Sequence, residues 1–146
     1  MSVQKLASLD KSIQNLIVEA TKVRASAYCP YSNFQVGSAV LCEDGAVYTG
    51  CNVENVSYSL TICAERSAYT KAVSSGNSKF IAVAVVAYQE NYFTTPCGAC
   101  RQFISEFGNV NIYVSKPGEE DVLVLSLDKA LPYRFENIKD THCMLE

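Results

Sequence analysis

Cysteine pairs and a nearby acid are the residues in this chain best placed to do chemistry. Cys97-Gly98-Ala99-Cys100 is a CxxC, which on its own reads as a zinc half-site, a redox dithiol or a packed loop. Both this pair and an earlier cysteine, Cys63, fall where the sequence predicts a helix to begin. Amide dipoles at a helix start favour thiolate over thiol, and thiolate is the form that binds metal. Three thiolates leave one corner of a tetrahedral zinc ion open, as in catalytic rather than structural sites. A fourth protein ligand is available in principle from Cys29, Cys42, Cys51, His142 or Cys143, but none of these forms a second pair at ligand spacing. Glu65 follows Cys63 by two positions. Within a helix the two would point ~200° apart at ~100° per residue, so the pair makes sense only at a first turn, where the carboxylate can fold back toward the metal. There it can move a proton between water and a substrate nitrogen, or simply complement the helix dipole. Zinc with three thiolates carries a net charge of one minus, which makes its water harder to ionise. Hydrogen-bond donors to the sulfurs restore that acidity. Arg66 and Arg101, which neighbour the motif, are the candidate donors, with surface solvation as the plainer role for each.

The rest of the chain must position these groups. Apolar residues Leu9, Ile13, Leu16, Ile17, Ala20, Val23 and Ala27 predict an amphipathic helix from about Leu9 to Ala27, closed before Pro30. Gln35–Cys42 and Ala46–Asn52 flank Asp44-Gly45, a hairpin turn. Cys63–Ser75 reads as a second helix ending at Gly76. Phe80–Tyr88 is almost wholly apolar, typical of a strand covered on both faces. Thr95-Pro96 reads as an N-cap with proline at the first helical position, opening a helix to about Phe107. Val110–Val114 and Val122–Leu125 read as short strands, and Ser126 as the cap of a last short helix near Pro132. The order αββαβαββα predicts an α/β fold: helices on both faces of a mixed sheet of about five strands, in one domain spanning 1–146.

Bulk properties narrow the function. The chain has 146 residues, 49% hydrophobic and 18% charged, with a formal net charge of −3. A nucleic-acid partner is disfavoured, since phosphate-binding surfaces carry a basic excess. The longest unbroken apolar run, Phe80–Tyr88, falls far short of the ~18 residues that span a bilayer. Met1-Ser-Val-Gln-Lys-Leu lacks the pattern of a secretory signal, so the expected address is the cytosol, where thiols stay reduced. Seven cysteines are an odd number that cannot all pair.

Taken together, Cys63-Ala64-Glu65 and Pro96-Cys97-Gly98-Ala99-Cys100-Arg101-Gln102 resemble the two zinc motifs of the nucleoside and nucleotide deaminases. The chain is most similar to the short, homotetrameric cytidine deaminases, through Tyr28–Gly37, Gly50–Tyr58 and Leu131-Pro132-Tyr133-Arg134-Phe135. That resemblance implies a three-layer α-β-α sandwich. It implies zinc held by Cys63, Cys97 and Cys100, with Glu65 as proton shuttle. It places Phe34 against the pyrimidine, the Ala64 N–H on the ring's O2, Asn52 and Glu54 on the ribose hydroxyls, Tyr58 in the substrate site and Phe135 in a neighbouring subunit's site. The implied reaction is hydrolytic deamination of cytidine and 2′-deoxycytidine in pyrimidine salvage. The tail departs from the family pattern, because Glu136-Asn137 follows Phe135 where a small, flexible Gly-Pro segment is usual. Polynucleotide deaminases mostly carry His-Ala-Glu and need basic grooves, and blasticidin-type enzymes match less well across Asn52–Asn55. A non-catalytic zinc-stabilised module is the rival from another class. A cysteine–histidine hydrolase is poorer, since the lone histidine is His142.

Overall fold

The computed structural model describes residues 1–136; His142 and Cys143, two of the candidate fourth ligands, lie outside the described residues, as does Asn137. Ten elements follow one another: β1 (Ser2–Lys5), α1 (Lys11–Arg24), β2 (Val36–Cys42), β3 (Val47–Cys51), α2 (Ala64–Ser74), β4 (Phe80–Ala87), α3 (Gly98–Ser105), β5 (Asn111–Ser115), β6 (Asp121–Ser126) and α4 (Leu127–Ala130). The strands form one sheet in the order β1-β6-β5-β4-β2-β3. Only β4 and β5 run parallel; the other neighbours are antiparallel.

Alternation along the central strands builds two cores. Ala39 and Leu41 of β2, with Ala82, Ala84 and Val86 of β4, face α1 through Ile13, Leu16, Ile17 and Ala20. Val40, Val83 and Val85 point the other way, onto Tyr69 of α2, Ile104 of α3 and Leu127 of α4. Side chains alternate faces along a strand, so a strand covered on both sides must be apolar throughout. That is why β4 reads FIAVAVVA. Tyr69 is the largest fully buried side chain, packed against Phe80 and Phe107. The result is the expected three-layer α/β sandwich.

Two expectations need correction. The sheet has six strands rather than five, because β1 adds an edge to β6. All four residues of β1 are exposed, so no apolar pattern announces it. A backbone ladder and the Lys5–Asp121 ion pair at 2.8 Å hold it instead. The second correction concerns α3, which starts at Gly98 with Cys97 as N-cap, not at Thr95-Pro96. The Thr95 hydroxyl and the Pro96 carbonyl instead accept hydrogen bonds from Arg101.

Candidate active site

Two helix starts meet beyond the end of β4. Cys63 is the N-cap of α2, Cys97 is the N-cap of α3, and Cys100 lies in the first turn of α3. The Cys63 and Cys97 sulfurs are 3.8 Å apart, and all three sulfurs lie within 4.8 Å of one another. Two sulfurs bound at ~2.3 Å to a tetrahedral ion stand about 3.8 Å apart, so the Cys63–Cys97 spacing is that of two zinc ligands. Among the described residues this is the one cluster of metal-ligating side chains, and Cys29, Cys42 and Cys51 do not join it.

The electrostatics favour thiolate at Cys63. The Cys63 thiol is brought down to about 5, chiefly by the hydrogen bond from Cys100, with Arg66 and Cys97 adding to it. Cys100, which supplies that proton and is buried, is pushed up in turn. Arg66 Nη2 reaches the Cys63 sulfur at 3.6 Å and the Thr61 carbonyl at 3.1 Å, while its Nε is buried without a partner. A half-buried guanidinium favours thiolates over neutral thiols beside it. Arg66 thus stands within reach of a cysteine sulfur of the cluster. Arg101 points elsewhere: its three nitrogens go to Pro96 O at 2.8 Å, Ala130 O at 3.1 Å and Thr95 Oγ1 at 3.2 Å, tying the approach to α3 onto the end of α4.

Glu65 occupies the first turn of α2 and is only 4% exposed. Burial raises its carboxyl, and the charge on Cys63 raises it further. It lines a cavity of about 220 Å³ with Phe34, Asn52, Ala64, Thr94 and Cys97 among the other walls. Thr61 is shared with a second cavity of about 200 Å³, lined also by Tyr31, Ser32, Glu54 and Tyr58. Joined, the two fall in the range of small-molecule sites, roughly 300–1,000 Å³. A larger surface hollow at Glu43, Asp44 and Gly76–Lys79 holds neither a sulfur nor any candidate residue.

The exit from β3 sets the second cavity. Val53 is bridged on one side to Tyr28 and on the other to Ile62, so Asn52 and Glu54 are fixed by backbone pairing relative to Cys63. Both do more than the sequence suggests. Asn52 accepts from Val36 N–H at 2.9 Å and donates to the Phe34 carbonyl at 2.8 Å. Among the described residues nothing accepts its second amide hydrogen. Glu54 accepts from the Tyr31 and Ser32 amides and from the Ser32 hydroxyl. The Ser32 hydroxyl is the main reason its carboxyl lies below the ordinary carboxylate range.

Phe135 stands apart from these cavities. Its side chain is 84% exposed, and its backbone N–H and C=O are gripped by the amide of Gln102 at 3.0 and 2.8 Å. Sequence reasoning passed over both Ser32 and Gln102. Ser32 carried a local signal, a small hydroxyl residue within a Pro-Tyr-Ser-Asn turn; Gln102 carried none beyond its place after the CxxC.

Comparison with known proteins agrees with this geometry. Residues 10–116 match the family model described as the cytidine and deoxycytidylate deaminase zinc-binding region. The chain is 49% identical over 125 residues to a cytidine deaminase of Sporosarcina psychrophila, covering 84% of this chain and 90% of the relative. It is 46% identical to a probable cytidine deaminase of Dictyostelium discoideum, covering 86% and 84%. Its fold is similar to the crystal structure of cytidine deaminase from Burkholderia pseudomallei, with a TM-score of 0.79, 42% identity and coverage of 84% of this chain and 98% of that one.

Proposed function

The chain belongs to the cytidine and deoxycytidylate deaminase zinc-binding family, and from that membership and the site we infer that it is a zinc-dependent cytidine deaminase. It converts cytidine and 2′-deoxycytidine, with water, to the uridine products and ammonia. The observation that carries this reading is a buried acid, Glu65, lining the same cavity as Cys63 and Cys97 of the three-sulfur cluster.

In this reading Cys63, Cys97 and Cys100 hold the zinc. When bound there, zinc makes a water acidic enough to furnish hydroxide near neutral pH. The residues of the chain do the rest. Phe34 packs on the pyrimidine. Ala64 contributes its N–H to O2, since a methyl side chain leaves an unpaired first-turn amide reachable. The spare Asn52 hydrogen and the Glu54 carboxylate take the sugar hydroxyls, with Tyr58 on the same wall. Glu65 takes a proton from the attacking water and delivers it to N3 as the hydroxyl adds to C4. It then carries the proton of that C4 hydroxyl to the amino nitrogen, which leaves as ammonia while the C4 carbonyl forms, so that water supplies both protons. The raised pKa of Glu65, caused chiefly by burial, lets it hold a proton more readily than an exposed carboxylate does. Arg66 keeps charge density on the Cys63 sulfur in check, and Arg101 acts only by holding the approach to α3.

One catalytic domain, residues 1–146, assembles as a homotetramer with its sites near subunit interfaces. The exposed Tyr133 and Phe135, at 96% and 84%, support a segment that is covered by a neighbour, with Phe135 reaching that neighbour's site. Free thiols at a thiolate metal site suit the reducing cytosol. No helix among the described residues is long and apolar enough to cross a membrane. The test is purified protein with cytidine, deoxycytidine, CMP and a short single-stranded oligonucleotide, with and without a chelator. Loss of the 4-amino chromophore from the two nucleosides, abolished by chelation, is expected. Zinc binding with no turnover of any of the four leaves a zinc-stabilised binding module, and turnover of CMP or the oligonucleotide alone makes the chain a deaminase of another substrate.

A further inference from the structure

The chain between α1 and β2 turns at Asn33, whose φ of 55° makes it the one non-glycine residue with positive φ among the described residues. Left-handed backbone persists where the surroundings over-determine it. Here the Asn33 N–H donates to the Cys29 carbonyl at 3.0 Å, and the Ser32 hydroxyl accepts the Phe34 N–H at 3.0 Å. Since that oxygen is already an acceptor, its proton is left for Glu54 Oε1, to which it donates. The Ser32 and Tyr31 amides donate to Oε2 of the same carboxylate at 3.2 and 3.0 Å. A carboxylate has about four lone-pair sites, so three filled from the turn leave one, on Oε1, for a sugar hydroxyl. The turn also carries Phe34, whose carbonyl is held by Asn52. One serine therefore joins the carboxylate of one cavity to the aromatic wall of the other.

We propose that Ser32 is a specificity-determining positioning residue, which through its hydrogen bond to Glu54 sets the enzyme's recognition of the sugar diol. The proposal rests on the assignment of Asn52 and Glu54 to the sugar made above. Among the described residues the lining of the Glu54 cavity contains no lysine or arginine, and the carboxylate's orientation is set by the donors of the turn. Charge-assisted bonds are the strong ones, but this one is exposed, so its loss amounts to about a tenfold change in affinity.

The experiment compares the zinc-loaded enzyme with Ser32→Ala and Ser32→Thr, using cytidine and 2′,3′-dideoxycytidine, the latter read as an inhibition constant against cytidine. Ser32→Ala is expected to raise KM for cytidine about tenfold with kcat within about twofold. Its inhibition constant for the diol-free nucleoside should move less than about twofold, and Ser32→Thr, which keeps the hydroxyl, should restore the cytidine KM. Adding Ser32→Ala to Glu54→Gln should make KM no worse than Glu54→Gln alone. Equal penalties on both nucleosides would mean that Ser32 merely supports the turn and Phe34, and would overturn the proposal. So would an unchanged KM, or a Thr variant as impaired as the Ala variant. If the unmodified enzyme binds both nucleosides equally well, the sugar assignment itself fails and takes the proposal with it.

Discussion

Gly50 is the position where the fold leaves the catalytic acid least room. It lies in β3, paired with Ser38 of β2, against the first turns of α2. A Cβ added there would stand 2.7 Å from the Ala64 carbonyl oxygen and from the Ser67 Cβ, and closer still to the Ala68 amide nitrogen. Ordinary contact begins at 3.4 Å, and the Ala68 nitrogen would be at 2.3 Å, so α2 must withdraw by about 1.1 Å. No flexible side-chain tip can absorb this, because two of the three atoms are helix backbone and the third is a Cβ. The displaced turns carry Ala64 and Glu65, while Cys97 and Cys100 ride on α3. Overpacking of this kind costs about 1–3 kcal/mol. A catalytic group misplaced by ~1 Å costs about 10²-fold. Gly50→Ala should therefore lose about 10- to 100-fold in kcat/KM and several degrees in Tm. Gly98→Ala is the control. It sits inside the CxxC itself, yet a Cβ there meets nothing within 4 Å, and alanine is the better helix former by about 1 kcal/mol. It should keep full activity and an equal or higher Tm. Steady-state kinetics, zinc content per subunit and calorimetry decide the matter. Full activity in Gly50→Ala, or inactivity in Gly98→Ala, refutes the reasoning.

Glu65→Gln should retain zinc and lose at least 10²–10⁴ in turnover, the usual worth of general acid–base help; equal loss of zinc and activity would make Glu65 structural. In the metal-stripped protein the sign follows from its raised pKa: the folded state keeps a proton that the unfolded chain releases above about 4.5, so the parent loses stability relative to Glu65→Gln as pH rises from there through the folded value. A stability difference between the two that is flat with pH, measured by urea unfolding, contradicts this. Arg66→Gln removes a donor from the Cys63 sulfur and makes that thiol less acidic, so zinc should be released at a higher pH than in the parent. Unchanged zinc release and an unchanged pH–rate profile would leave Arg66 without that role. Arg101→Met strips donors from Pro96, Thr95 and Ala130 and should cost about 1–3 kcal/mol by calorimetry, while the parent's pH–rate profile is kept.

What the sequence shows and what it hides divide along physical lines. The sulfur trio and Glu65 are legible because ligand chemistry demands particular side chains at helix starts, and β4 because burial on both faces leaves an unbroken apolar run. β1 is hidden because an edge strand lives on backbone hydrogen bonds, which no side chain advertises. The start of α3 is misread because Thr-Pro is a good helix opening locally, but Arg101, from the next turn, takes the threonine hydroxyl and the proline carbonyl for itself. Adjacency to a ligand says little about where Arg101 points. The double duty of Asn52 and Glu54, holding the turn that carries Phe34, depends on contacts 16 to 23 residues apart, beyond any local pattern.

The meeting of the two helix starts follows from topology. β4 and β5 are the only parallel neighbours in the sheet, so a crossover must join them, and α3 is that crossover; it begins just past the C-terminal end of β4. α2 is joined to the start of β4 by the short segment 75–79, so it runs back along the strand and its own start lies at the same C-terminal end. Two positive helix ends are thereby brought together beyond one strand, beside Val85, which lines the cavity. Three sulfur anions placed at those ends draw on both dipoles, and the acid one residue into α2 must then lie against them, walled from water by β4. Open α/β sheets bind their ligands outside the carboxyl ends of strands for the same reason. The chemistry is thus seated where the connection order concentrates positive potential, and the cysteines exploit a location that the fold creates before any metal arrives.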